Sequence, residues 1–171
     1  MGKPQSEFVD QFKAAFRESF GVTREWTGGQ GRHNNMSLPF VAQLRRDGVQ
    51  SAGECFELGD LRADIAQRMV IIECESRAIA VHNLVKYWPF IRGEMSIKPS
   101  LPVLLCHFSD WVSYGSHRDL WYWISGRMAS DTQRLVEFAG EQFDHGGESA
   151  DHRQRGIASC IEWLKGRLAT G

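Results

Sequence analysis

An excess of either charge is what this chain most plainly lacks. Its 171 residues carry 20 Lys and Arg against 21 Asp and Glu, a formal net charge of −1. A protein that grips nucleic acid over a wide surface is often strongly basic, so any hold on phosphate here must be local. Cysteine is scarce too: Cys55, Cys74, Cys106 and Cys160, with no CxxC pair among them. Three of these lie in apolar runs, where a free Cys behaves as a small hydrophobe, and reduced structural thiols are expected. No apolar run approaches the ~20 residues of a membrane helix. The opening MGKPQSEFVD has neither the basic stretch nor the apolar core of a secretory signal. The expectation is one soluble, cytoplasmic domain over residues 1–171, without repeats or low-complexity tracts.

What is present is a clear order of elements. Phe8, Phe12, Phe16 and Phe20 recur every four residues after Ser6 and before Gly21, which predicts a helix. A Gly- and Asn-rich loop follows at 27–35, and 38–48 reads equally as helix or strand. Strands are predicted near 54–59, over RADIAQ and over MVIIECE, the last two joined by a tight turn near Gln67–Met69. A helix is expected over 78–88, ended or kinked by Pro89. LPVLLCHFS, 101–109, is the continuous apolar run of a strand buried on both faces. Beyond it the chain reads as helical: 117–128, a capping-box helix after Ser130 and Gln133, and a last helix over about 150–168. The three early strands suit an antiparallel meander, and the last strand a parallel crossover.

Side chains alternate along a strand, so Glu73 and Glu75 share a face, while Val70, Ile72 and Cys74 point the other way. Asp64 lies in the neighbouring predicted strand. Burying a lone carboxylate costs several kcal/mol, roughly, and like charges repel. A divalent cation would relieve three such acids, and hard oxygen ligands suit Mg²⁺.

The run Asp64-(x8)-Glu73-x-Glu75, on paired strands followed by a helix, resembles the PD-(D/E)XK nuclease superfamily. The resemblance covers roughly residues 6–110 and implies an α/β, restriction-endonuclease-like α-β-β-β-α-β core with a mixed sheet, plus a C-terminal helical addition over about 116–168. Ala63 stands where the family has Pro, and Glu75 where it has Lys. Asn83 and Tyr87, spaced i, i+4 on one side of the next helix, resemble that family's Q-x-x-x-Y element. His82 and Lys86 pair on the other flank, and Lys86 is the candidate for a lysine migrated from the strand. The resemblance implies Mg²⁺ or Mn²⁺ held by Asp64, Glu73 and the Cys74 carbonyl, with Glu75 taking a proton from water or binding a second metal.

Expected partners are nucleic acid, DNA before RNA, and a second copy of the chain, since many cutters of duplex DNA act as dimers. Arg32, Arg45, Arg46 and Arg77 are the candidate phosphate contacts, with Arg24, Arg92 and Lys98 nearby in sequence. Trp121, Tyr122 and Trp123 offer stacking surfaces, but an aromatic run in a helix is more often core or subunit interface. The rival reading is an inactive nuclease-fold relative that binds nucleic acid or assembles with protein. A paired-carboxylate glycosidase is a second rival, but its usual scaffolds are larger.

Overall fold

The computed structural model describes residues 3–21, 27–28, 35–37, 55–57, 59–75, 79–94, 101–111, 115–147 and 149–169. Helix α1 spans Lys3–Phe20. Strands β1 (Thr27–Gly28), β2 (Asn35–Ser37) and β3 (Cys55–Glu57) follow. The hairpin β4 (Leu61–Ile65) and β5 (Arg68–Cys74) comes next, then short helices α2 (His82–Val85) and α3 (Trp88–Ile91). Strand β6 (Val103–Ser109), helix α4 (Gly115–Ala129), strand β7 (Phe138–Asp144) and helix α5 (Ala150–Ala169) complete the order.

The result is α/β, with a mixed five-stranded sheet in the order β1-β4-β5-β6-β7. β4 runs antiparallel to β1 and β5, while β5, β6 and β7 are mutually parallel. Strand alternation divides the core in two. Phe8, Phe12 and Phe16 of α1 and Ile157, Ile161 and Leu164 of α5 cover Val70, Ile72, Leu104 and Cys106. Leu84, Tyr87, Phe90, Trp121 and Met128 cover Met69, Ile71, Val103 and Leu105 on the other face. Each of these buried large side chains contributes about 1.5–3 kcal/mol relative to exposure. Cys74, Cys106 and Cys160 are buried thiols outside any disulfide. Among the described residues, no helix is long and apolar enough to cross a membrane.

Several expectations need correction. The strand expected at 54–59 does not join the main sheet: β3 pairs with β2 in a separate two-stranded sheet. The edge beside β4 is taken by β1, in a segment read as loop. The capping-box helix after Ser130 is absent, because Phe138–Asp144 forms β7 in full register with β6. Gly140 lets β7 approach α4; a Cβ there would lie 3.0 Å from the Trp121 ring. The helix over 78–88 is two single turns, with Pro89 in the first turn of the second, where its missing N–H costs nothing. The β4–β5 turn is Ala66-Gln67, both residues at positive φ. The segment 38–48 lies outside the described residues.

Candidate active site

Glu73 is where the hairpin stops being apolar. It follows four fully buried residues of β5, Met69 to Ile72, and is itself 4% exposed. It sits on the Met69–Ile71 face, beneath the α2–α3 turn. Lys86 Nζ lies 2.6 Å from Glu73 Oε1, with both side chains nearly buried. The Tyr87 hydroxyl donates a very short hydrogen bond to the same oxygen. Lys86 also donates to Asn83 Oδ1 at 3.3 Å, and Asn83 Nδ2 donates to Glu75 Oε1 at 2.6 Å. The Ala80 N–H donates to Glu75 Oε2 at 2.8 Å. One loop-and-turn segment therefore closes over both acids.

A second layer comes from β6 and α4. His107, in register with Glu73, is fully buried. Trp121 Nε1–H donates to His107 Nδ1 at 2.8 Å. That bond leaves the ring proton on Nε2, which faces Glu75 Oε1 at 3.3 Å. Burial pushes the Glu75 carboxyl up, but the hydrogen bonds from His107, Asn83 and Ala80 outweigh it and hold the group below its ordinary value. Gln142 is in register with His107, is 2% exposed, and its carboxamide has no hydrogen-bond partner.

The expected acid triad is not the one that assembles. Asp64 pairs with Met69, four positions along β5 from Glu73, or about 13 Å at strand rise. Its carboxylate is held at both oxygens by Arg62, at 3.0 and 2.9 Å. Asp60 stands in its place. It lies one position beyond the Leu61–Ile72 pair, its N–H donating to Ile72 O at 2.8 Å. Asp60 Oδ2 accepts the Cys74 N–H at 2.7 Å. Gly59, at φ +65, makes this entry into β4 feasible, since a Cβ there would lie 2.5 Å from Ile71 Cγ2 and 2.8 Å from Ile72 O. Burial, then Asp60, Glu75 and Glu73, raise the Cys74 thiol well above its ordinary pKa, so all three carboxylates act on one point.

Other expectations divide. Glu75 has donors at both oxygens, so it braces the turn rather than standing ready to take a proton. Asn83 and Tyr87 reach the acids, and Lys86 joins them instead of lying on a separate flank with His82, which is exposed. Arg32, Arg45, Arg46, Arg77, Arg24 and Lys98 lie outside the described residues. Arg92 pairs with Glu94 at 3.2 Å and lies 3.8 Å from Asp131. Trp121 is core, whereas Tyr122 and Trp123 are exposed. His107 was overlooked, although a histidine inside an otherwise apolar strand is itself a signal. So was Asp60, directly after a glycine.

The premise that these acids require a bound cation also changes. Glu73 has Lys86, Asp64 has Arg62, and Glu75 has a set of neutral donors. Among the described residues, no group of three or more His, Cys, Asp or Glu is arranged to hold a metal ion. The donor chemistry still suits one. Asp60, Glu73 and Glu75 offer carboxylate oxygens beside one another along the β4–β5 end, and hard oxygen donors are the preference of Mg²⁺ or Mn²⁺. No protein-family model, curated protein or solved structure matches this chain.

Proposed function

We propose that this chain is a metal-dependent phosphodiester hydrolase, an endonuclease acting on DNA on a restriction-endonuclease-like core. The observation that carries the reading is Lys86, set 2.6 Å from Glu73 by the turn that follows β5. A lysine beside the second acid is what that chemistry needs where the strand itself offers Glu75. The element order supports the same reading: α1, the antiparallel trio β1, β4 and β5, the α2–α3 turns, then β6 parallel to β5. β2 and β3 are an insertion within this order.

Asp60, Glu73 and the Cys74 carbonyl would hold the ion. Mg²⁺ or Mn²⁺ in such a site supplies Lewis acidity and a water of lowered pKa. The chain's own groups do the rest. Lys86 carries the positive charge that can pair with a phosphate oxygen. Tyr87 fixes Glu73, and Glu75 fixes Asn83, which in turn holds Lys86.

Supercoiled plasmid and labelled single strands, incubated with the protein with and without Mn²⁺, test this. Metal-dependent cleavage is expected, lost in Asp60→Asn and Glu73→Gln and kept in Asp64→Asn. Cleavage that survives both losses, or depends on Asp64, overturns the site assignment. One observation favours the non-cutting, nucleic-acid-binding alternative: Lys86 already neutralises Glu73. Calorimetric titration with Mn²⁺ separates the two, because a site closed by Lys86 for good binds none.

A further inference from the structure

The Trp121 indole and the Lys86 ammonium can only donate hydrogen bonds, and an unbroken chain of contacts joins them. Trp121 Nε1, on α4, donates to His107 Nδ1 at 2.8 Å. His107 Nε2, on β6, faces Glu75 Oε1 at 3.3 Å. The backbone brings those two together, because the Glu75 N–H donates to the Phe108 carbonyl at 2.9 Å. Asn83 Nδ2, on α2, donates to the same Glu75 oxygen at 2.6 Å, and Asn83 Oδ1 accepts from Lys86 Nζ at 3.3 Å. Lys86 then meets Glu73 Oε1 at 2.6 Å. A tryptophan on α4 is thus connected to the lysine on α2 across the ends of β6 and β5.

The polarity of every link is forced. An ionised carboxylate only accepts, so Glu75, in the middle, needs a donor from each side. His107 supplies one only with its proton on Nε2, and Trp121 enforces that tautomer by occupying Nδ1. Asn83 supplies the other only with its nitrogen turned to Glu75, which leaves its oxygen for Lys86. With the proton on Nδ1 instead, an imidazole lone pair would oppose the Glu75 carboxylate, and Trp121 would lose its acceptor. Both rings are fully buried, where either mismatch costs most. We propose that His107 is a positioning residue for Lys86, acting through Glu75 and Asn83, and that Trp121 sets the tautomer in which it does so. The orientation of Lys86 depends on this chain alone; its effect on cleavage rests on the hydrolase reading.

Three variants test it. Trp121→Phe keeps an aromatic ring and removes the indole donor. His107→Leu removes donor and acceptor together, and His107→Gln restores both on a neutral side chain. Nitrogen NMR of the imidazole reads the tautomer: wild type should carry the proton on Nε2, and Trp121→Phe should admit the Nδ1 form. Competitive acetylation, read by mass spectrometry against the exposed Lys165, reports Lys86. Its rate should rise about fivefold in His107→Leu and Trp121→Phe, and stay near wild type in His107→Gln. Plasmid cleavage with Mn²⁺ should lose about tenfold or more in kcat in His107→Leu, with KM little changed, and regain most of it in His107→Gln. Thermal melts establish folding; should Trp121→Phe not fold, the two His107 variants decide. An Nδ1 proton in wild type, Lys86 reactivity untouched by His107→Leu, equal impairment of His107→Leu and His107→Gln, or a cleavage loss confined to KM would each overturn the proposal. If wild type cleaves nothing, the hydrolase reading falls, and the tautomer and acetylation results still decide the positioning.

Discussion

Replacing Lys86 by Met tests the buried pair most directly. Lys86 and Glu73 meet at 2.6 Å with side-chain exposures of 9% and 6%. Removing one partner of such a pair leaves an uncompensated buried charge, at a cost of about 3–5 kcal/mol. At 171 residues each kcal/mol moves Tm by roughly 2–4 °C, so a fall of about 6–20 °C is expected at pH 7. Glu73 in the variant keeps the Tyr87 hydroxyl as a donor but loses the ammonium. Lys86→Met combined with Glu73→Gln removes both charges while Tyr87 keeps an oxygen to donate to, and should regain most of the loss. Urea unfolding of the four proteins at pH 7 gives the coupling energy directly. Lys86→Met within about 1 kcal/mol of wild type, or a double variant no better than the single, refutes the pairing.

Glu75, held below its ordinary pKa, contributes stability above the unfolded carboxyl value of about 4.3, and this is lost as pH falls through the lowered folded value. Glu75→Gln should therefore be less stable at pH 7 and converge with wild type in acid, as read by urea midpoints. The exposed Ala66-Gln67 turn sits at φ 48 and 59 without a glycine; Asn-Gly there should stabilise by about 1–2 kcal/mol in thermal melts. A Cβ at Gly156 would lie 2.0 Å from the Asp144 carbonyl oxygen, so Gly156→Ala should force α5 off β7 and cost at least about 3 kcal/mol in chemical unfolding.

The legible parts of the fold were those set by local periodicity. The Phe8–Phe20 stripe, the two apolar strands β5 and β6 and the last helix all carry their own burial pattern. β7 was missed because Phe138-Ala-Gly-Glu-Gln-Phe-Asp has no apolar run and follows a plausible helix cap; its pairing with β6 is what makes it a strand. Asp64 stood as the first acid, and Asp60 went unnoticed, for a related reason. Both fit a short acid spacing, and only the register, Asp64 opposite Met69, separates them. Glu73, Glu75, Lys86, Asn83 and Tyr87 were readable because the strand and the turn after it are adjacent in sequence. His107 and Trp121 reach the same place through a parallel crossover, which local spacing does not reveal.

One regularity ties these residues together. In β5, β6 and β7 the face beneath α2 and α4 begins apolar, with Met69 and Ile71, Val103 and Leu105, and Phe138. It turns polar at a single level, where Glu73, His107 and Gln142 stand side by side in register. Ser109 continues the polar row, fully buried and with its hydroxyl unpartnered. Each buried polar group without a partner costs about 1–3 kcal/mol, and apolar residues of similar size would fill the same space at no such cost. A core shaped by packing alone has no reason to change character at one level in three strands joined by separate helices. Ligands of open parallel sheets bind outside the carboxyl ends of the strands, and it is at that end, and on one face, that this chain departs from what stability favours. The polar row therefore supports a site there whether or not the bond it acts on is a phosphodiester.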